Sequence, residues 1–163
     1  MAGLVFVRPD LYEALWARRS AAGGILDPMS AWLLLRSLLT YDLRLERQLR
    51  NTQQVLRYLS GAMVEFFYPP AALPWHEHGG AVVSFLAEGT LRELTDKCGR
   101  LKTCRMAPSF GGVVSLIECP ATMSRYGLSH AELIVAGIEP NLIRLAVGIE
   151  PIERILEDID TLC

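Results

Sequence analysis

The sequence predicts an α/β sandwich, a small sheet covered by helices, with one long helix leading into it. Three observations carry that reading. From Met63 onward, strand-like and helix-like stretches follow in the order strand, strand, helix, strand, helix, strand, helix. Between Asp27 and Gly61, leucines recur at three- and four-residue steps. Near the end, Asn141–Glu150 is a short apolar run with a permanently charged residue, Arg144, at its centre.

Length and composition set the frame. The chain has 163 residues, enough for one domain with a substantial core. Hydrophobic residues make up 51% and charged ones 21%, the balance of an ordinary globular protein. A formal net charge of -2 gives no electrostatic reason to expect nucleic acid or an anionic membrane as partner. No apolar run approaches the roughly 20 residues that span a bilayer, because Arg36 and Arg144 interrupt the best candidates. Met1–Val7 is apolar, but Arg8-Pro9 ends it and no basic segment or cleavage site accompanies it, so it does not read as a signal peptide. Cys98, Cys104, Cys119 and Cys163 are scattered without a CxxC pair, which predicts reduced thiols in a cytoplasmic protein.

In chain order, Gly3–Val7 reads as a strand and Arg8–Arg19 as a short helix opened by Pro9 and Asp10. Ala21–Gly24 is a flexible connection. Asp27 is a good N-cap with Pro28 at the first helical position, and Ser60-Gly61 supplies a stop. Leu35, Leu38, Leu45, Leu49, Leu56 and Leu59 form one stripe between them, with Arg36, Arg44, Arg47, Arg50 and Arg57 mostly off it on a solvated face. A helix of about 32 residues would be roughly 48 Å long. A domain of this size has a radius of gyration near 15 Å, so roughly such a helix must bend or reach beyond its domain.

Met63–Tyr68 and Ala81–Leu86 read as strands around a Pro-rich loop, Leu91–Cys98 as a helix and Thr103–Ala107 as a strand. Val113–Glu118 reads as a helical turn or two. Ser129–Ala136 is a helix in which Ser129 and Glu132 form a capping box. The Arg144 strand follows, and Pro151–Leu162 closes the chain as a helix with Ile152, Ile155, Leu156 and Ile159 on one face. A lone hydrophobic strand at Gly3–Val7 needs a sheet to join and none precedes it. The chain is therefore expected to be the C-terminal part of something longer.

Few residues carry chemistry. His76-Glu77-His78 has no third ligand at a suitable spacing, so solvated loop residues are expected there and no metal site. His130 reads as a surface residue early in a helix. Ser109 precedes Phe110-Gly111-Gly112, where bare glycines permit close approach of a ligand or a second chain, or simply a turn. No P-loop, GxSxG elbow or dinucleotide fingerprint is present. Arg144 is the informative residue. A guanidinium cannot lose its proton to enter a core, so a buried one must find an anion. It is either a structural ion pair, an edge-strand residue facing water, or a planar fork aimed at a carboxylate ligand.

Four stretches together resemble one family, the Cys/Met-metabolism enzymes that use pyridoxal phosphate. They are Gly23-Gly-Ile-Leu-Asp-Pro-Met-Ser-Ala-Trp-Leu-Leu-Leu-Arg36, Ala107-Pro-Ser-Phe-Gly-Gly-Val-Val-Ser-Leu-Ile-Glu118, Pro120-Ala-Thr-Met-Ser124 and Asn141-Leu-Ile-Arg-Leu-Ala-Val-Gly-Ile-Glu150. They occur in the family's order and cover nearly the whole chain. The resemblance implies the C-terminal small domain of a fold-type I pyridoxal-phosphate enzyme: residues 1–26 as a remnant of the large cofactor-binding domain, 27–61 as a long linking helix and 62–163 as the α/β small domain. It implies that Arg144 grips the α-carboxylate of an amino-acid substrate and that Ser109 lies beside that carboxylate and the cofactor lysine. Ser124 takes the place of a threonine near the same pocket.

The Ala107–Gly112 stretch looks most like the plant-type cystathionine γ-synthases, which implies γ-replacement on an activated homoserine with cysteine. Cystathionine or methionine γ-lyase and β-lyase activities, or a non-catalytic truncated subunit that binds an intact homologue, are the alternatives. A small amino-acid-binding module using Arg144 is a third. Family members are homotetramers, so self-association or association with the N-terminal part is expected, as is a cytoplasmic location. Two departures matter. The family's Schiff-base lysine and most of its cofactor-binding residues match positions upstream of Met1, so the chain is expected to be inactive alone; Lys97 and Lys102 fall on the outer small domain and cannot replace that lysine. Pro69–Gly80 is also shorter than the family's usual loop.

Overall fold

The computed structural model describes residues 3–70 and 78–163, in two compact units, Met1–Asp42 and Leu43–Cys163. The first unit contains α1 (Pro9–Ala22) and α2 (Pro28–Leu38). Gly23 ends α1 in the left-handed conformation at φ 69°. Asp27 caps α2 as expected, accepting from the Ser30 backbone N–H at 3.0 Å. That hydrogen bonding holds the Asp27 carboxyl below its ordinary value. Neither helix buries a side chain. Gly3–Val7, expected as a strand, pairs with no strand among the described residues. A strand needs a ladder partner, and the described residues offer none there.

The leucine stripe does not run through one helix. A turn at Leu39-Thr40 separates α2 from α3 (Tyr41–Gly61). The Ser37 hydroxyl donates to the Leu33 carbonyl at 2.8 Å, and the Thr40 hydroxyl to the Ser37 carbonyl at 3.5 Å. Such side-chain bonds compete with the helical ladder. Within α3 the buried face is Gln48, Asn51, Thr52, Val55 and Leu59, so its first half is polar rather than leucine-rich.

The second unit is a five-stranded mixed sheet in the order β1-β2-β5-β4-β3. The strands are β1 (Phe66–Phe67), β2 (Val82–Leu86), β3 (Arg105–Met106), β4 (Leu116–Glu118) and β5 (Leu142–Ala146). β3 and β4 are parallel and the other pairs antiparallel. The helices are α4 (Leu91–Cys98), α5 (His130–Val135) and α6 (Ile152–Asp160). Val83, Phe85, Ile117, Ile143 and Leu145 form one sheet face, packed against Val55 and Leu59 of α3, Leu94 and Cys98 of α4, and Ile155 and Ile159 of α6. The α/β sandwich therefore stands. The reciprocal cap of α5 also forms: the Glu132 carboxylate accepts from the Ser129 backbone at 2.7 Å.

Several local readings need correction. Val113–Glu118 is not helical; its end is β4, hydrogen-bonded between β3 and β5. Its apolar residues fit either period over so short a run, and pairing with β5 decides. Thr103–Ala107 shrinks to two strand residues because the buried Asp158 carboxylate takes the backbone N–H groups of Lys102, Thr103 and Cys104 at 3.0, 2.8 and 2.7 Å. Met63–Tyr68 shrinks to Phe66–Phe67 because α3 ends in a reversal: Met63 sits at φ 57° and the Val64 N–H bonds the Leu59 carbonyl at 3.0 Å.

Candidate functional site

Strand alternation explains how a charge sits mid-run in β5. Ile143 and Leu145 point into the core, so Arg144 belongs to the opposite sheet face. There it stands between Ser84 of β2 and Glu118 of β4 in the ladder register. Glu118 is 1% exposed and Arg144 24% exposed at the side chain. Glu118 Oε1 lies 2.8 Å from Arg144 Nη1. Of the two bland readings, the ion pair is present, while β5 is a central strand rather than an edge and leaves Arg144 only partly in contact with solvent. The pair is single-pronged. Arg144 Nη2 and Glu118 Oε2 are both buried with no hydrogen-bond partner among the described residues. A buried unpartnered donor on a guanidinium leaves a hydrogen bond to be gained, by an anion or a water, once the atoms covering it move aside.

Two further groups frame the pair. The Ser124 hydroxyl donates to Glu118 Oε1 at 3.1 Å. The Phe110 ring lies under the guanidinium, with Arg144 Cζ 5.7 Å from its centroid. The structure thus brings Arg144 together with Ser124, through Glu118, and with the Ser109–Gly112 corner, through Phe110. Ser109 itself is exposed, one residue before Phe110. The corner is tied to α3, since Gln48 Nε2 donates to the Gly112 carbonyl at 2.6 Å.

The segments on either side of the site are locked together. Ser115 donates from its backbone to Glu150 Oε1 at 2.6 Å and from its hydroxyl to Glu150 Oε2 at 2.9 Å. The Ser115 hydroxyl also accepts from the Gly148 N–H at 2.9 Å. Asn51 of α3 donates to the Gly148 and Glu150 carbonyls at 3.0 and 2.9 Å. Gly148 is required here: a Cβ would stand 2.5 Å from both Ser115 N and Val113 O. These bonds fix the start of β4 against the end of β5, and so the register that sets Glu118 opposite Arg144.

Sequence reasoning missed Glu118 and the Phe110 ring. The available signal was a carboxylate closing an apolar run at Val113–Glu118, and the helical reading hid it. Other residues stand apart. Lys97 and Lys102 line a cavity with Arg100, Leu101 and Thr161. His130 is exposed at the start of α5. His76 and Glu77 lie outside the described residues, while His78 Nδ1 accepts from the Gly80 N–H at 3.3 Å. Among the described residues, no helix is long and apolar enough to cross a membrane.

Comparison with known proteins bears on the fold and the family. The chain is 30% identical to L-methionine gamma-lyase of Fusobacterium nucleatum subsp. polymorphum over 98% of its own length and 44% of that protein. It superposes on cystathionine gamma-lyase from Lactobacillus plantarum, solved with L-serine, with a TM-score of 0.82 and 30% identity, covering 96% of this chain and 44% of that one. It also superposes on cystathionine gamma synthase from Xanthomonas oryzae pv. oryzae, solved with aminoacrylate and cysteine, with a TM-score of 0.82 and 32% identity over 94% and 42% of the two chains. The chain thus spans less than half the length of these relatives. With the family model for "Cys/Met metabolism PLP-dependent enzyme" matching residues 1–162, the chain belongs to that pyridoxal-phosphate-dependent family.

Proposed function

We propose that this chain supplies the substrate-carboxylate portion of a pyridoxal-phosphate enzyme of sulfur amino-acid metabolism. The observation that carries this is Arg144: mid-sheet, held on one nitrogen by Glu118, with Nη2 buried and unpartnered. A guanidinium in that state matches the acid end of an amino acid. Arg144 binds and orients the carboxylate, and Ser109 borders the same corner. Losing a charge-assisted contact of this kind costs about 2–4 kcal/mol of binding.

The residues present fit the substrate's acid group and not the cofactor's lysine. The chain's two lysines, Lys97 and Lys102, line a cavity whose walls include neither Arg144 nor Ser124. Pyridoxal phosphate supplies electron withdrawal when a complete family enzyme binds it. This chain alone is taken to be inactive. Among family chemistries we favour γ-replacement of the cystathionine γ-synthase kind, on the Ala107–Gly112 stretch; γ- and β-lyase reactions are the alternatives. The exposed aromatic and aliphatic side chains of α1 and α2, Trp16, Trp32 and Leu35 among them, favour association with a further polypeptide, either an N-terminal part or another copy.

The test is titration of the chain with L-methionine and with methioninamide, followed by backbone and side-chain NMR. Shifts at Arg144, Ser109 and Phe110 with the acid only, lost in Arg144→Ala, are expected. Equal shifts with the amide, or none with either, would overturn the carboxylate reading. Incubation with pyridoxal phosphate should leave no visible absorbance after dialysis; a surviving band would overturn the inference of inactivity. Co-elution with an intact homologue on size exclusion is the expected outcome for the association, and separate elution rejects it.

A further inference from the structure

We propose that Glu118 is a positioning residue that aims Arg144, with Ser124 as its anchor, so that a ligand carboxylate meets the side-on edge of the guanidinium. This rests on the carboxylate reading above and extends it to residues that no ligand need touch.

The argument starts from guanidinium geometry. Arginine offers two edges to a carboxylate: the end-on pair Nη1–Nη2, and the side-on pair Nε–Nη2. In this chain Nη1 is already bound to Glu118 Oε1 at 2.8 Å. Engagement of Nη1 by Glu118 disfavours the end-on edge, whereas the side-on edge does not use Nη1. Nη2, shared by both edges, is buried without a partner among the described residues. Phe110 lies under the face of the group, with its centroid 5.7 Å from Cζ. A carboxylate oxygen at 2.8 Å and a ring beneath together restrict rotation of a long side chain that must otherwise be ordered on binding.

Glu118 is itself constrained. It ends β4 in direct register with Arg144, and its side chain is 1% exposed. Ser124 donates to the same oxygen, Oε1, that accepts from Arg144. That bond selects which carboxylate oxygen faces the guanidinium and leaves Oε2 unpartnered. The role is distinct from simple charge balance. As a mere counter-ion, Glu118 competes with an incoming carboxylate, and its removal would strengthen anion binding. As an aiming group, it lowers the cost of ordering Arg144, and its removal or displacement weakens binding. The two roles predict opposite signs.

The experiment uses the full chain labelled at arginine, with L-methionine as probe, comparing Glu118→Gln, Glu118→Asp and Ser124→Ala with the wild type. In the ligand-free wild type, separate slowly exchanging Arg144 Nε–H and Nη–H signals are expected, and they should broaden in all three variants. The methionine dissociation constant should rise about fivefold in Glu118→Gln and in Glu118→Asp, which keeps the charge but shortens its reach. In Ser124→Ala, where both charges stay, it should rise about threefold. Tighter binding in Glu118→Gln, or unchanged signals and affinity in Glu118→Asp and Ser124→Ala, would overturn the proposal. Should Glu118→Gln fail to fold, Ser124→Ala decides alone. A wild type that ignores methionine rejects the carboxylate reading, while its ligand-free Arg144 signals still report whether Glu118 holds the side chain.

Discussion

Glu118 and Arg144 stand directly opposite each other on adjacent antiparallel strands, joined at 2.8 Å, on the sheet face away from the hydrophobic core. The position makes the pair consequential for stability as well as for binding. Glu118 is the more deeply buried partner, so removing the arginine strands a desolvated carboxylate. Arg144→Ala should lose about 2–4 kcal/mol in denaturant unfolding, somewhat less than a fully buried pair because Arg144 retains some solvent contact. The double variant Arg144→Met/Glu118→Leu removes both charges and should return to within about 1 kcal/mol of the wild type. A double variant as unstable as the single one would show that the loss comes from packing. The double variant also separates loss of carboxylate binding from loss of fold.

Met63 occupies the left-handed region at φ 57° and is exposed, where its side chain contributes little burial. An L-residue other than glycine bears about 1–2 kcal/mol there. Glycine relieves that strain but adds about 0.5–1 kcal/mol of unfolded-state entropy. Met63→Gly should therefore stabilise the protein by up to about 1 kcal/mol, read as a rise in thermal midpoint. An unchanged or lowered midpoint would show that the Met63 side chain matters more than its backbone.

What the sequence made legible follows from how local each signal is. The Asp27 cap and the Ser129–Glu132 box depend on residues three apart, and both form. β5 was readable because an apolar run bounded by Pro140 and Gly148 has few other solutions. Glu118 was not readable in the same way. Its meaning depends on register with a strand far along the chain, and the short Val113–Glu118 run fits helical spacing as well as strand spacing. The break at Leu39-Thr40 hid behind a continuous leucine stripe because Ser37 and Thr40 act through hydroxyl bonds that hydrophobic periodicity does not register. Arg144 stood out as an oddity in sequence, but only the sheet shows that one of its nitrogens is already engaged.

The cysteines set thiolate character against access. Cys98, Cys104 and Cys119 are buried, and Cys163 is half-buried at the end of the chain. A hydrogen bond from Cys98, supported by Thr95, pulls the Cys119 thiol down, whereas donating that bond, with burial, pushes Cys98 up. Burial also pushes up Cys104 and Cys163. A lowered value makes Cys119 the best nucleophile only if a reagent can reach it. With an aromatic disulfide reagent, Cys163 should label in the native protein, faster as pH rises, while the other three react only on unfolding. Rapid native labelling of Cys119, identified by mass spectrometry, would show that the β4 end opens.

Tyr58 of α3 donates its hydroxyl to the Asp160 carboxylate at the end of α6, joining two helices that cover the same sheet face. That hydrogen bond, with burial and the negative charge of Asp160, pushes the phenol from 10.0 up to about 12. A value raised in the folded state means that the folded protein holds the proton more tightly than the unfolded chain. The stabilisation is therefore complete below about pH 10 and lost as pH climbs toward about 12. Thermal midpoints should fall across that alkaline window in the wild type beyond the fall seen in Tyr58→Phe, which lacks the titrating group. Spectroscopic titration should show one tyrosine ionising later than the other four, and that late step should vanish in Tyr58→Phe. Parallel midpoint curves for the two proteins would show that the Tyr58–Asp160 bond does not tie α3 to α6 in solution.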